Sequence, residues 1–177
     1  WEAAGPHALD PNNLDTIGLT TLSGVLKSNE AFSAHPKADF NSNASSELLV
    51  TFGVQTGPKS TIRLMEFSNA GENSGKLIID RKDTFNGFAF LHDFAITTNW
   101  AIFLQNAIDF NPLPFVMGQK GAAQCLKSNP NKKAKFFIIP RESGLFKGQP
   151  SITIDAPDGF VFHHVNAYEK DSNIILD

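Results

Sequence analysis

Three histidines stand in similar surroundings along the chain and could bind one metal ion together. His35, His92 and His163 each follow an aromatic-rich lead and precede a polar turn and an apolar run. They recur 57 and 71 positions apart. Imidazole is the commonest metal ligand at neutral pH, and three equivalent positions in a repeated pattern are hard to explain by chance. The residues alone leave two interpretations open: a shared metal site, or three buried, hydrogen-bonded core histidines.

The apolar residues around these histidines fall into short runs and show no helical period. The runs are rich in Ile, Val, Phe and Thr, and clusters of Gly, Pro, Asn, Asp and Ser separate them. This pattern predicts an all-β chain. The predicted strands cover residues 48–54, 61–67, 76–79, 100–104, 135–139, 151–154 and 160–165.

The order of the predicted hairpins indicates a β-propeller. Each histidine opens one hairpin, and another hairpin comes before it, around 10–13, 68–75 and 140–148. Two hairpins make a four-stranded unit, and the histidine spacing suits a propeller repeat of about 40–50 residues with loop insertions. We therefore expect about three blades, each with a histidine at the start of its innermost strand. The three imidazoles would then point to one axis.

The other two histidines are not expected to join them. His7 lies on a predicted strand before a turn, and His164 follows His163, so strand alternation points its side chain the other way.

The composition excludes several classes of function. The chain is 41% hydrophobic and 19% charged with a net charge of −3, so it lacks the basic surface that binds nucleic acid. Its one cysteine, Cys125, cannot form an internal disulfide, which favours a reducing, cytoplasmic setting and a structural thiol. No apolar run approaches the roughly 20 residues of a membrane span. We expect a protein that is cytoplasmic or peripheral to a membrane.

Both ends of the chain look interrupted. The sequence opens at Trp1 and closes at 173–177 in an apolar run that resembles an unfinished strand. Residues 1–177 are expected to be part of a single propeller domain that is truncated at both ends.

Four segments together resemble the carotenoid cleavage oxygenases, in the same order and from end to end of the chain. They are 1–10 (WEAAGPHALD), 34–39 (AHPKAD), 90–97 (FLHDFAIT) and 162–169 (FHHVNAYE). The resemblance implies a seven-bladed propeller that holds Fe(II) on its axis through four histidines.

By position, His35, His92 and His163 match three of the family's iron ligands. Glu2 matches a glutamate that accepts a hydrogen bond from a ligating imidazole, which fixes the tautomer of that ligand. The resemblance implies that the fourth histidine lies beyond Asp177. Another chain could supply the missing blades.

The resemblance also implies an activity. Fe(II) and dioxygen would cleave one double bond of a carotenoid or apocarotenoid and give aldehyde products such as retinal. The family also contains stilbene-cleaving enzymes and a retinoid isomerase, and similarity to cyanobacterial members favours an apocarotenoid. Two alternatives remain: a catalytically incomplete fragment that only binds polyenes or partners, and a kelch-like interaction propeller with coincidental histidines.

Two groups of apolar residues have candidate roles. Phe88, Phe90 and Phe162 could line a substrate tunnel, with core packing as the alternative. The proline-broken stretch 110–118 cannot be a regular central strand and resembles a loop that dips into membrane; the alternative is a buried loop between blades. Its candidate membrane-facing residues are Phe110, Leu113, Phe115, Val116 and Met117, and Lys127, Lys132, Lys133 and Lys135 could contact anionic headgroups.

Overall fold

A computed structural model describes residues 4–40, 47–69, 71–157 and 159–177. These residues contain fourteen β-strands, one four-residue α-helix and two short 3₁₀ helices, Gly71–Asn73 and Ala122–Cys125. The prediction of an all-β chain is confirmed.

The first four-stranded antiparallel sheet is built from consecutive strands. These are β3 (Lys37–Asp39), β4 (Leu48–Gln55), β5 (Lys59–Ser68) and β6 (Leu77–Asn86), in that order across the sheet. The middle strands β4 and β5 are largely buried, whereas β6 alternates between half-buried and exposed positions, as expected for the outer strand of a sheet with one covered face. We call this sheet the first blade.

The second blade has the same order with one insertion. Its strands are β7 (Ala95–Ile96), β8 (Trp100–Gln105), β11 (Lys135–Pro140) and β12 (Ile152–Asp155). Between β8 and β11 the chain forms a separate hairpin of β9 (Ile108–Phe110) and β10 (Leu126–Ser128), and its loop carries the helix α1 (Leu113–Val116).

Two further hairpins flank the blades. They are β1 (His7–Leu9) with β2 (Thr16–Leu19), and β13 (Ala167–Lys170) with β14 (Asn173–Leu176).

The apolar core lies between the two blades. Phe52 of β4 is fully buried and contacts Phe94 and Phe103 edge-to-face, with ring centroids 5.1 and 5.0 Å apart. Phe85 of β6 stacks on Phe137 of β11 at 3.8 Å. Aromatic side chains bury large areas and favour such offset or edge geometries. This packing fixes the blades against each other and so fixes the segments that lead into their inner strands.

A buried arginine also crosses between the blades. Arg141 follows β11 and is fully buried. It donates to Asp39 Oδ2 on β3 at 2.8 Å, to Glu66 Oε2 on β5 at 3.0 Å and to the backbone oxygen of Thr97 at 2.7 Å. The guanidinium therefore ties two strands of the first blade to the β7–β8 turn of the second.

A second polar link joins the second blade to β13. The carboxylate of Glu169 accepts hydrogen bonds from the Thr97 hydroxyl, from the backbone N–H of Asn99 at 3.0 Å and from the Asn99 side chain at 2.8 Å. The β7–β8 turn thus contacts both neighbouring parts of the fold.

Two predictions about strands and pairing are wrong. Residues 160–165 form no strand, because the backbone of Val161 exchanges two hydrogen bonds with the side chain of Asn106, at 2.9 and 3.0 Å, instead of joining a ladder. The hairpins that follow His35 and His92 also form their sheets with later strands and not with the hairpin that precedes them. The predicted strand 76–79 is the beginning of the much longer β6, whose exposed charged positions hid its length.

Candidate metal centre

The three candidate ligands lie in the segments that lead into β3, β7 and β13, which are the first strands of the two blades and of the last hairpin. His35 comes two positions before β3, His92 three before β7 and His163 four before β13. The structure brings the three side chains together: their potential ligand atoms all lie within 4.8 Å of one another. His35 and His92 are half-buried and His163 is exposed.

The rings form a nearly regular triangle. The His35 and His92 centroids are 4.5 Å apart, and each is 4.9 Å from the His163 centroid. The Nε2 atoms of His35 and His92 approach to 2.9 Å. Two nitrogens bound to one ion at about 2.0–2.1 Å with a right angle between the bonds would be about 2.9 Å apart. The arrangement fits a first-row transition metal bound by imidazoles, and in the described ranges no carboxylate joins the group.

Close packing against β4 fixes the segment before His35. A Cβ on Gly53 would lie 2.4 Å from the backbone oxygen of Ala31, so only glycine permits this approach. The N–H of Ser33 donates to the Phe52 oxygen at 2.8 Å, and the Ser33 hydroxyl accepts from the His35 N–H at 3.0 Å.

Buried polar side chains hold the segment before His92. The Ser60 hydroxyl on β5 donates to the Gly87 oxygen at 2.8 Å and accepts from the Ala89 N–H at 3.0 Å. Gln105 on β8 donates to the Phe88 oxygen at 2.8 Å. This loop therefore keeps one backbone path without being part of a strand.

The electrostatic environment keeps His35 neutral. Burial lowers the pKa of His35, and the nearby His92 and His163 lower it further against the opposing effect of Asp93. Only a neutral imidazole can bind a metal ion. His35 is therefore suited to ligation at neutral pH.

Phe162 lies on one of the candidate ligands. Its ring centroid is 3.9 Å from that of His92 and 6.2 Å from that of Phe90. Phe88 instead stacks on Phe110 at 5.4 Å. Phe88 and Phe90 are half-buried and Phe162 is 43% exposed, so none of the three belongs to the buried core. Their role in a substrate tunnel stays a prediction.

The remaining candidate residues have varied outcomes. Glu2 lies outside the described residues. His7 is on β1 and exposed. His164 stays out of the histidine cluster as expected, but strand alternation is not the reason, because this segment is not a strand.

The apolar stretch after β9 is exposed. Leu113, Phe115, Val116 and Met117 have exposed fractions of 63%, 49%, 77% and 61% among the described residues, and the membrane-facing role of this stretch stays a prediction. Phe110 is half-buried against Phe88. Among the described residues, no helix has the length and apolar character needed to cross a membrane.

Sequence reasoning missed Asp93 and Lys37. Both lie in segments that carry the family resemblance, 34–39 and 90–97, yet nothing in the sequence indicates that the two side chains contact each other. The structure joins them by an ion pair of 2.8 Å next to the histidine cluster.

Comparisons with known proteins agree on one family. The family model described as retinal pigment epithelial membrane protein matches residues 1–177. The chain is 43% identical to the apocarotenoid-15,15'-oxygenase of Synechocystis, over 100% of this chain and 35% of the relative. It is 29% identical to a carotenoid 9,10(9',10')-cleavage dioxygenase of Crocus sativus, over 99% of this chain and 30% of the relative.

A solved structure agrees as well. The cobalt-substituted Synechocystis apocarotenoid oxygenase is 42% identical, with a TM-score of 0.90 over 99% of this chain and 35% of that one. This likeness confirms the predicted propeller fold. The chain spans about a third of the length of these relatives.

Proposed function

Because the chain belongs to the retinal pigment epithelial membrane protein family, which includes the carotenoid cleavage oxygenases, we propose that its protein cleaves a polyene with dioxygen. The substrate is a carotenoid or apocarotenoid, one conjugated double bond is broken, and the products are aldehydes. Identity to a relative named as an apocarotenoid oxygenase favours the apocarotenoid. The observation that carries the proposal is the convergence of three histidines within 4.8 Å.

His35, His92 and His163 would hold Fe(II), one ion per site. The bound iron would supply the redox chemistry with dioxygen that amino-acid side chains cannot perform. In this proposal a fourth histidine comes from outside residues 1–177, from another part of a seven-bladed propeller or from another chain. Glu2 would accept a hydrogen bond from a ligating imidazole, as the family resemblance implies.

The aromatic side chains beside the cluster suit an apolar substrate. Phe162 covers one face of His92 and exposes 43% of its own surface, and Phe90 is its neighbour. A polyene lying along these rings would bury apolar area beside the metal ligands and exclude water from them. Phe88 would extend this surface toward the β9–β10 hairpin.

The exposed patch around α1 supports a peripheral membrane contact. Its four exposed apolar side chains, Leu113, Phe115, Val116 and Met117, lie within five consecutive positions, and their insertion into lipid would bury apolar area and give access to a lipophilic substrate. The protein would otherwise be cytoplasmic. Val116→Ser is expected to weaken cosedimentation with phosphatidylcholine vesicles several-fold, whereas Leu145→Ser, which changes an 87% exposed residue outside the patch, should leave it unchanged.

Turnover tests the proposed activity directly. The iron-loaded protein that carries this chain is mixed with an apocarotenoid and then with oxygen, while the polyene absorbance is followed and the products are identified by mass spectrometry. We expect loss of absorbance and aldehyde products with the wild type and neither with His92→Ala. Binding of the polyene without turnover by the iron-loaded wild type would leave only the alternative of a binding module.

A further inference from the structure

Residues one or two positions after the three histidines form a cluster of their own around Asp93. Lys37 lies two positions after His35, Asp93 follows His92, and His164 follows His163. The ammonium nitrogen of Lys37 is 2.8 Å from Asp93 Oδ1. The backbone N–H of His164 donates to Asp93 Oδ2 at 2.9 Å. One carboxylate therefore contacts the other two histidine-bearing segments, each through a different oxygen.

The Asp93 side chain is almost fully enclosed. Its side chain is 2% exposed and that of Lys37 is 29% exposed. The buried carboxylate is held between the Lys37 ammonium and the backbone N–H of His164, and contacts of a carboxylate with a cation and with an N–H donor are strong.

The Asp93 contacts link the three segments directly to one another, in addition to the packing and hydrogen bonds that hold each segment against the blades. Lys37 begins β3, but 92–93 and 163–164 lie outside the strands. Their separation is therefore set by side-chain contacts and not by a strand ladder between them. Because each linked residue is within two positions of a histidine, a shift at Asp93 is passed directly to the imidazoles.

We propose that Asp93 is a positioning residue, which holds the three histidine-bearing segments at the separation that one metal ion requires. It would act through Lys37 and the His164 backbone and would not itself bind the metal: the described ligand group contains only the three histidines. This inference rests on the proposed function, since it needs the metal site to exist.

Cobalt titration of the metal-free protein tests this role apart from turnover, because the visible bands of Co(II) report its ligand geometry. Asp93→Asn keeps the shape of the side chain and removes its charge, and Lys37→Met removes the ammonium. We expect each to weaken Co(II) binding about tenfold and to alter the bands. The double variant should bind no more weakly than the weaker single one, since both changes remove the same contact. Lys37→Arg, which keeps the cation, should restore wild-type binding.

Glu66→Gln is the matched control. Glu66 is also a fully buried carboxylate paired with a cation, Arg141, but it lies on β5 and not beside a histidine. This variant should lose thermal stability while keeping the wild-type affinity and spectrum for Co(II).

Failure of the positioning role and failure of the proposed metal site give different results in these titrations. Wild-type affinity and bands in both Asp93→Asn and Lys37→Met would overturn the positioning role while leaving the metal site intact. If Asp93→Asn does not fold, Lys37→Met decides alone, because its partly exposed side chain makes it the milder change. A wild type that binds no Co(II), or that binds it no better than His92→Ala, would overturn the proposed metal site and this inference with it.

Discussion

The proposed role of Phe162 differs from that of the metal ligands, because its substitution should affect substrate binding and not metal binding. Its ring lies 3.9 Å from that of His92 and is 43% exposed. Phe162→Ala should raise KM for an apocarotenoid about tenfold, because the apolar surface offered to the polyene is lost. Affinity for Co(II) should stay close to that of the wild type.

Phe160→Ala is the control for this prediction. Phe160 is a neighbouring phenylalanine, 54% exposed, whose ring lies 6.1 Å from that of Phe162. Steady-state kinetics and Co(II) titration should show little change. An unchanged KM in Phe162→Ala, with weaker metal binding, would mean that the ring supports His92 and does not contact substrate.

The candidate ligands could be found from the sequence, whereas the residue that links them could not. The histidines share a local pattern that repeats along the chain. Lys37, Asp93 and His164 are 56 and 71 positions apart and share no pattern. Their contact is a product of how the blades pack, and it becomes visible only in three dimensions.

Among the elements, the Arg141 contacts make the strongest prediction for stability. Arg141→Met would leave the buried carboxylates of Glu66 and Asp39 without the cation that both contact. Removing one partner of a buried charged group typically costs about 3–5 kcal/mol. The free energy of unfolding, measured by urea denaturation, should fall by about that amount.

Lys133→Met is the control for the arginine. Lys133 pairs with Asp155, and both side chains are more than half exposed, at 70% and 57%. Exposed pairs contribute little, so this change should leave the free energy of unfolding almost unaltered. Equal effects of the two substitutions would contradict the idea that Arg141 connects the blades.

Strand locations were predicted well where the strand carries a largely buried apolar run, and poorly where side-chain hydrogen bonds replace the pairing between strands. Strands β4, β5 and β8 match their predicted ranges within two residues at either end. The run 160–165 has the composition of a strand, yet Asn106 takes up the backbone groups of Val161. An isolated asparagine 55 positions earlier gives no sequence signal of that contact.

For the whole molecule, the link through Glu169 predicts how stability depends on pH. Burial alone would raise the pKa of Glu169, but hydrogen bonds from Thr97 and Asn99 outweigh it and lower the pKa. A carboxyl with a lowered folded pKa contributes its full stability above its unfolded value of about 4.3, and loses it as the pH falls through the folded pKa.

Thermal unfolding of wild type and Glu169→Gln between pH 6 and pH 3 tests this sign. The wild type should be more stable at pH 6, and the difference in Tm should shrink toward pH 3. A difference that grows as the pH falls would contradict the assigned direction.

The propeller fold was predictable because one pattern, a histidine followed by a polar turn and an apolar strand, recurs three times in the sequence. The partners of each hairpin were not predictable, because a hairpin in a row of hairpins can be grouped with either neighbour. Packing between the blades decides the grouping: Phe52 and Phe85 of the first blade contact Phe103 and Phe137 of the second.

The central claim is that three histidines of this chain hold one iron. The most direct measurement is an anaerobic Fe(II) titration of the protein that carries the chain, for the wild type, His92→Ala and His164→Ala. We predict one Fe(II) per protein for the wild type and for His164→Ala, whose altered imidazole lies outside the cluster. His92→Ala should lose stoichiometric binding. Equal binding by the wild type and His92→Ala, or no specific binding by a folded wild type, would contradict the claim.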